Sequence, residues 1–451
     1  MTAADPAGSP AGEPIPAPKR VFGFETRQLH AGQSPDAEVR SRAVPIYQST
    51  SFVYQDFAHA QALGNLDELG FSYSRTGNPT NAVLERRVAA LEGGTAALAV
   101  ASGTAATALT VLNLTRAGDE IVAASTLYGG SVTLFQHTLP RHGVTTRFVD
   151  AGDLGAIAAA ITAKTRCVFV ETIGNPDINL VDLAAVAELA HAAGVPLVVD
   201  NTFATPYLCR PIEHGANVVV HSATKFIGGH GTSIGGIIVD GGNFDWSCGR
   251  FPDFTTADST NGGVVHWDRW GNDPDLGNFA FVMKARLQYQ RDIGASLSPF
   301  NAFLFLQGLE TLSLRMERQT ANALAVARFL DGHPDVAWVA YPGLASSRYH
   351  ELQRRYLPNG AGALLAFGVR GGQEHAQRLI DALRVFSFLA NVGDSKSLVA
   401  HPATVTHGGL SEAERRLAGV HPEQIRLSVG TETIEDLLWD LDQALSVSSP
   451  N

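Results

Sequence analysis

The spacing of apolar residues changes several times along this chain. PTNAVLERRVAALEGG (79–94) repeats at helical spacing and ends on glycines, which predicts an amphipathic helix with a glycine stop. AALAVAS then leads into SGTAATALTVLNL, a helix rich in small residues. DEIVAAS, TRFVD, CVFVET, PLVVDNT and ANVVVHS are short apolar runs, each followed by turn residues or by a helical stretch such as LVDLAAVAELAHAAG. Continuous β-branched runs suit strands buried on both faces. Strands spaced by helices predict an α/β domain with a mainly parallel sheet.

After about Ser298 the texture shifts. FNAFLFLQGLETLSLRMERQTANALAVARFLDGHP predicts one or two long helices. GALLAFGVRGG and IRLSVGTE have the look of strands, and EHAQRLIDALRVF of a helix, which together suit a smaller α+β lobe. The division expected is a disordered tail at 1–20, an N-terminal arm at 21–72, a large domain at 73–298 and a C-terminal domain at 299–451. The segment Gly241 to Asp275, rich in Gly, Asp, Asn and Trp, is either a surface excursion or a loop lining a site.

Composition narrows the function classes. Apolar residues make up 45% of the 451 positions and charged residues 17%, enough for a large core. The formal net charge of −11 argues against a nucleic-acid protein. No uncharged apolar stretch reaches the ~18 residues of a membrane span. The N-terminal MTAADPAGSPAGEPIPAPKR lacks the pattern of a signal peptide. Cys167, Cys209 and Cys248 form no CxxC pair, which fits a cytosolic protein with free thiols.

Candidate chemistry gathers at predicted strand ends, the edge where open parallel sheets bind ligands. Lys225 closes the valine run VVVHSATK, where an ammonium is costly to bury. Asp200 ends its own valine run 25 residues earlier. Alone it is as well explained as a turn former. Ser102, Gly103 and Thr104 open a helix, whose first amides suit a phosphate, although Ser102 can equally be an ordinary N-cap. Ser222 and Thr224 add hydroxyls near the same place. No GxxxxGK[ST] loop, GxGxxG fingerprint or HExxH is present. His401 and His407 lack a third ligand at metal spacing, and SEAERR (411–416) suits a solvated helix face. A lysine for a Schiff base, an acid for a ring nitrogen and a phosphate cradle are the three parts pyridoxal 5'-phosphate (PLP) needs. Tyr128, between Leu127 and Gly129, can stack on such a ring.

YSRTGNPT (73–80), ASGTAAT, LYGG, ETIGNP, VDNTFATP, HSATKFIGGHGTSIGG and IRLSVGTE resemble the Cys/Met-metabolism family of PLP enzymes. The resemblance covers nearly everything after Val21. Within it, FGFETRQLHAGQSPD, AVPIYQSTSFVY, SPFNAFLFLQGLETLSLRMER and NVGDSKSLVAHPATVTH look most like the O-acetylhomoserine sulfhydrylases. The resemblance implies fold type I and a homotetramer of tight dimers in the cytoplasm, with an amino-acid substrate and sulfide or a thiol as partners. It implies that Lys225 carries the cofactor, Asp200 pairs with the ring nitrogen, and Tyr128 stacks on the ring beside Asn175. Gly103, Thr104, Ser222 and Thr224 would hold the phosphate, with Tyr73 and Arg75 reaching that of a neighbouring subunit. Arg426 would clamp the substrate carboxylate, with help near Ser397. O-Succinylhomoserine sulfhydrylase, cystathionine γ-synthase and methionine γ-lyase are the alternative activities, and a silent scaffold is the alternative from outside enzymes. Lys396 stands where cystathionine-handling relatives carry an acid, which favours sulfhydrylation. QYQRDIG (288–294) departs from the family's leucine-rich form.

Overall fold

A computed structural model describes residues 20–448 except 37, 406–407, 409–414 and 416–418. Residues 1–19 of the expected tail, His407 and all of the SEAERR run except Arg415 therefore lie outside the described residues. Seven strands form the larger sheet. They are β1 (Ala96–Val100), β2 (Glu120–Ala124), β3 (Thr145–Val149), β4 (Thr165–Glu171), β5 (Leu197–Asp200), β6 (Val218–Ser222) and β7 (Gly236–Asp240). Their order is β1-β7-β6-β5-β4-β2-β3. Every neighbouring pair is parallel except those made by β7, which runs antiparallel between β1 and β6. The apolar runs of β4 to β6 are buried almost end to end, as strands covered on both faces require.

Local signals explain the covering helices. Helix Pro79–Glu92 starts on Asn78, whose side chain accepts from the Thr80 amide, and stops at Gly93 with φ +80°. Helix Gly103–Leu114 is capped by the Ser102 hydroxyl, which accepts from Ala105. Helix Leu183–Ala192 is capped in the same way by Asp182.

The second sheet orders β10 (Ser387–Phe388), β11 (Leu398–Ala400), β12 (Gln424–Ser428), β9 (Leu364–Val369) and β8 (Val336–Ala340). Helices Gly372–Ala382 and Ile434–Ser448 pack together beside it. Ala302, Phe305 and Met316 pack into the larger core and Ala323, Val326 and Leu330, of the same helix Leu312–Asp331 as Met316, into the smaller one, while Leu364 and Ala366 of β9 return to the larger. The long helix therefore belongs to both lobes. Among the described residues no helix is long and apolar enough to cross a membrane.

The excursion Gly241–Asp275 is more than surface loop. It carries two short helices, Pro252–Thr255 and His266–Trp270. Its Trp246 is fully buried, stacked against Phe254 and Phe281 with ring centroids 4.7 and 5.1 Å away. None of its residues lines the central cavity described next.

Candidate active site

A cavity of about 380 Å³ opens at the carboxyl ends of β4, β5 and β6. Lys225, Asp200, Ser222, Thr224, Gly103, Thr104, Tyr128, Asn175 and Arg426 all line it. Sequence separation left open whether Asp200 and Lys225 face one space. Parallel pairing of β5 with β6 brings their ends side by side.

One side of the cavity suits an anion. The first amides of a helix have no partner within it, and Gly103 and Thr104 hold that position. The backbones crowd together here. A Cβ on Gly103 would lie 2.5 Å from Ser222 Cβ, and one on Gly236 would lie 2.0 Å from the Ser102 carbonyl oxygen. Only glycine permits both approaches. The Ser222 amide donates to Thr202 Oγ1 at 2.8 Å, while Thr224 Oγ1 accepts from the Gly235 amide at 3.1 Å.

The lysine occupies the middle. Its Nζ donates to Asn391 Oδ1 at 2.6 Å. Burial, aided by the Arg426 cation, lowers its pKa to about 8. Asp200 accepts from the Thr202 amide at 2.9 Å, and burial raises its carboxyl above the ordinary value. Glu171 is pushed well above the carboxylate range by burial and by the nearby Asp200, and its Oε1 accepts from the Tyr128 amide at 2.7 Å. Behind the strands, His221 Nε2 meets Glu92 Oε1 at 2.5 Å in full burial, and Asn201 donates to the same carboxylate.

Arg426 enters from β12 of the smaller lobe. Its side chain is almost wholly buried, Nη1 donates to Asn175 Oδ1 at 2.9 Å, and burial lowers its pKa to about 10. Tyr128 is half exposed at the mouth.

Three expected residues lie elsewhere. Ser397 does not line the cavity. Its hydroxyl donates to Glu432 Oε2 at 2.9 Å and accepts from the Gly430 amide, so it is spent inside the smaller lobe and does not reach the cavity. Tyr73 and Arg75 also lie off this chain's cavity. Tyr73 is 46% exposed, and the Arg75 guanidinium lies 5.4 Å from its ring centroid. The structure adds Asn391, Glu171, Thr202 and Phe203 to the lining. Glu171 and Thr202 were visible as strand-end polar residues. Asn391 carried no local signal, because only tertiary folding brings it to Lys225. Among the described residues, no group of three or more His, Cys, Asp or Glu is placed to hold a metal. His401 instead contacts Thr404 Oγ1 and the Pro422 carbonyl.

The model of the Cys/Met metabolism PLP-dependent enzyme family matches residues 25–446. This chain belongs to that family. The O-acetyl-L-homoserine sulfhydrylase of Leptospira meyeri is 51% identical over 439 residues, covering 97% of this chain and 99% of its own. The homocysteine synthase of Schizosaccharomyces pombe is 52% identical over 428 residues, covering 94% and 98%. A crystal structure of a putative O-acetylhomoserine (thiol)-lyase from Campylobacter jejuni, which carries a pyridoxyl-lysine monophosphate, superposes with a TM-score of 0.89 at 41% identity. It covers 94% of this chain and 100% of that one. The residues present fit the family's cofactor, PLP. The glycine cradle, the free helix amides and the Ser222 hydroxyl suit its phosphate, Thr224 Oγ1 lies beside them bonded to the Gly235 peptide, and a buried amine and a buried carboxyl share the adjoining cavity.

Proposed function

We propose that this chain replaces the γ-substituent of O-acetylhomoserine with sulfide or a thiol, giving homocysteine or methionine and acetate. The observation that carries this reading is the meeting of Lys225, Asp200 and Arg426 in one cavity. Relatives named for this activity, near 50% identical over almost their full length, support the choice of substrate.

Lys225 would hold PLP covalently, Asp200 would face its ring nitrogen, and Tyr128 would cover the ring with Asn175 beside it. The amides of Gly103 and Thr104 and the hydroxyls of Ser222 and Thr224 would take the phosphate. When bound, PLP supplies an electron sink for charge developing next to the substrate's amino group. The protein supplies the rest. Arg426, already oriented by Asn175, offers a fork to the substrate carboxylate. The Lys225 amine, whose ammonium form burial disfavours, would take the proton from Cα and move it during the replacement at Cγ. Tyr73 and Arg75, exposed and off their own cavity, serve the phosphate of a neighbouring copy. A homotetramer of tight dimers follows the same reading, supported by the apolar side chains of Val53 and Phe57, which are 97% and 85% exposed. Free cysteines are in keeping with the cytoplasm.

The test is a substrate panel with sulfide, run on O-acetylhomoserine, O-succinylhomoserine, O-acetylserine, cystathionine and methionine. Fastest turnover of the acetyl ester is expected; faster turnover of the succinyl ester overturns the substrate choice. Lys225→Ala should abolish turnover and prevent borohydride from fixing the cofactor to the chain. Wild-type turnover in that variant would sink the lysine assignment.

A further inference from the structure

Two segments remain without a role: the excursion Gly241–Asp275 and the atypical QYQRDIG. The structure ties them together. Ala285–Gln290 forms a π-helical turn running into Arg291–Ile293, and such turns often mark functional places. Gln288 donates to Asp258 Oδ2 at 2.8 Å. The Asp258 carboxylate also accepts from Thr260, from Asn261 Nδ2 at 2.6 Å and from His266. Asn261 Oδ1 in turn accepts from Arg291 Nη1 at 2.8 Å. The chain of contacts does not stop there. The Arg291 carbonyl accepts from Arg75 Nη1 at 2.7 Å, and Arg286 of the π-helical turn donates to the Thr76 carbonyl at 2.8 Å.

We propose that Asn261 and Arg291 are positioning residues for the Tyr73–Arg75 platform, and that the excursion exists to hold it at the angle at which it meets the cofactor phosphate of a second copy. The inference rests on the reading that Arg75 serves a neighbouring phosphate. Its physical basis is donor arithmetic. A guanidinium has five N–H donors, and the Arg291 carbonyl engages only one nitrogen. The remaining donors stay free while the plane of the group is fixed over Tyr73. An exposed arginine otherwise loses substantial side-chain entropy when it binds an anion. The brace removes part of that loss beforehand. Arg286 secures the next peptide while its other end pairs with Glu85 at 2.7 Å, which roots the platform in helix Pro79–Glu92.

The test compares PLP with pyridoxal, which lacks the phosphate. The full-length protein, stripped of cofactor, is titrated with each, and the ratio of the two dissociation constants is the readout. A variant that only loosens the fold weakens both ligands and leaves the ratio unchanged. Arg75→Ala is the reference. Asn261→Ala removes the shorter tie to Arg291 and leaves only the 3.5 Å contact with the Thr260 carbonyl, and Arg291→Ala removes both while keeping the carbonyl that Arg75 uses. Each of the two should shift the ratio against PLP by roughly 3- to 10-fold. Adding Asn261→Ala to Arg75→Ala should shift it no further. If Arg75→Ala moves the ratio and neither brace variant does, the brace is refuted and the shared site stands. If Arg75→Ala leaves the ratio at the wild-type value, both are overturned.

Discussion

Lys225 is the residue on which the proposed chemistry turns, and its surroundings dictate when its amine is neutral. Burial disfavours the ammonium, and Arg426 adds like-charge repulsion, so the pKa falls to about 8. The other titratable groups around the cavity are Tyr128, Glu171 and Asp200. In the cofactor-free protein, acylation of Lys225 followed by mass spectrometry should therefore show a midpoint near pH 8, with the neutral, reactive amine above it. Arg426→Leu removes the second cation and should move that midpoint upward. A midpoint near the ordinary lysine value of 10.5 would contradict the burial argument. Lys225, Asp200, Ser222 and Thr224 were legible in the sequence because a polar residue at the end of a buried valine run is conspicuous. Asn391 was not, since its contact with Lys225 spans 166 residues. Ser397 was assigned from resemblance, and only the fold showed its hydroxyl engaged with Glu432.

At the scale of elements, the site depends on backbones brought unusually near each other. Gly103→Ala would drive a methyl into Ser222 and force the capped helix away from β6. Overpacking of this kind costs about 1–3 kcal/mol. Because the displaced amides are the proposed phosphate donors, PLP affinity should fall more than pyridoxal affinity, which paired titrations would measure. The buried Trp246 anchors the excursion through its stacked neighbours. Trp246→Ala should lower stability to urea by about 3–5 kcal/mol, the usual range for emptying a large aromatic site. The parallel strands were readable from their valine-rich runs. β7 was not, because GIIVD follows directly on the glycine tract, and its antiparallel place between β1 and β6 is fixed by long-range pairing alone. The excursion's aromatics were equally opaque. Periodicity is lost in a segment whose burial comes from ring stacking.

For the whole molecule, a large mainly parallel sheet and a smaller second lobe were legible, but not the sharing of a single long helix between their cores. The sequence also hid how much apolar surface the N-terminal arm leaves uncovered. Ile46, Val53, Tyr54, Phe57, Leu69 and Phe71 are each more than a third exposed. Surface of this kind marks association. Val53→Glu combined with Phe57→Glu should shift the protein to a smaller species in light scattering. An unchanged mass would remove the arm from the interface.

The outward-facing pair Tyr73 and Arg75 has a thermodynamic consequence. If one copy completes the phosphate site of another, cofactor binding and subunit association share a coupling free energy, and each must strengthen the other by the same factor. PLP would then tighten the assembly, and dilution would drain the cofactor from it. Saturation becomes a property of protein concentration as well as of PLP concentration, through mass action alone.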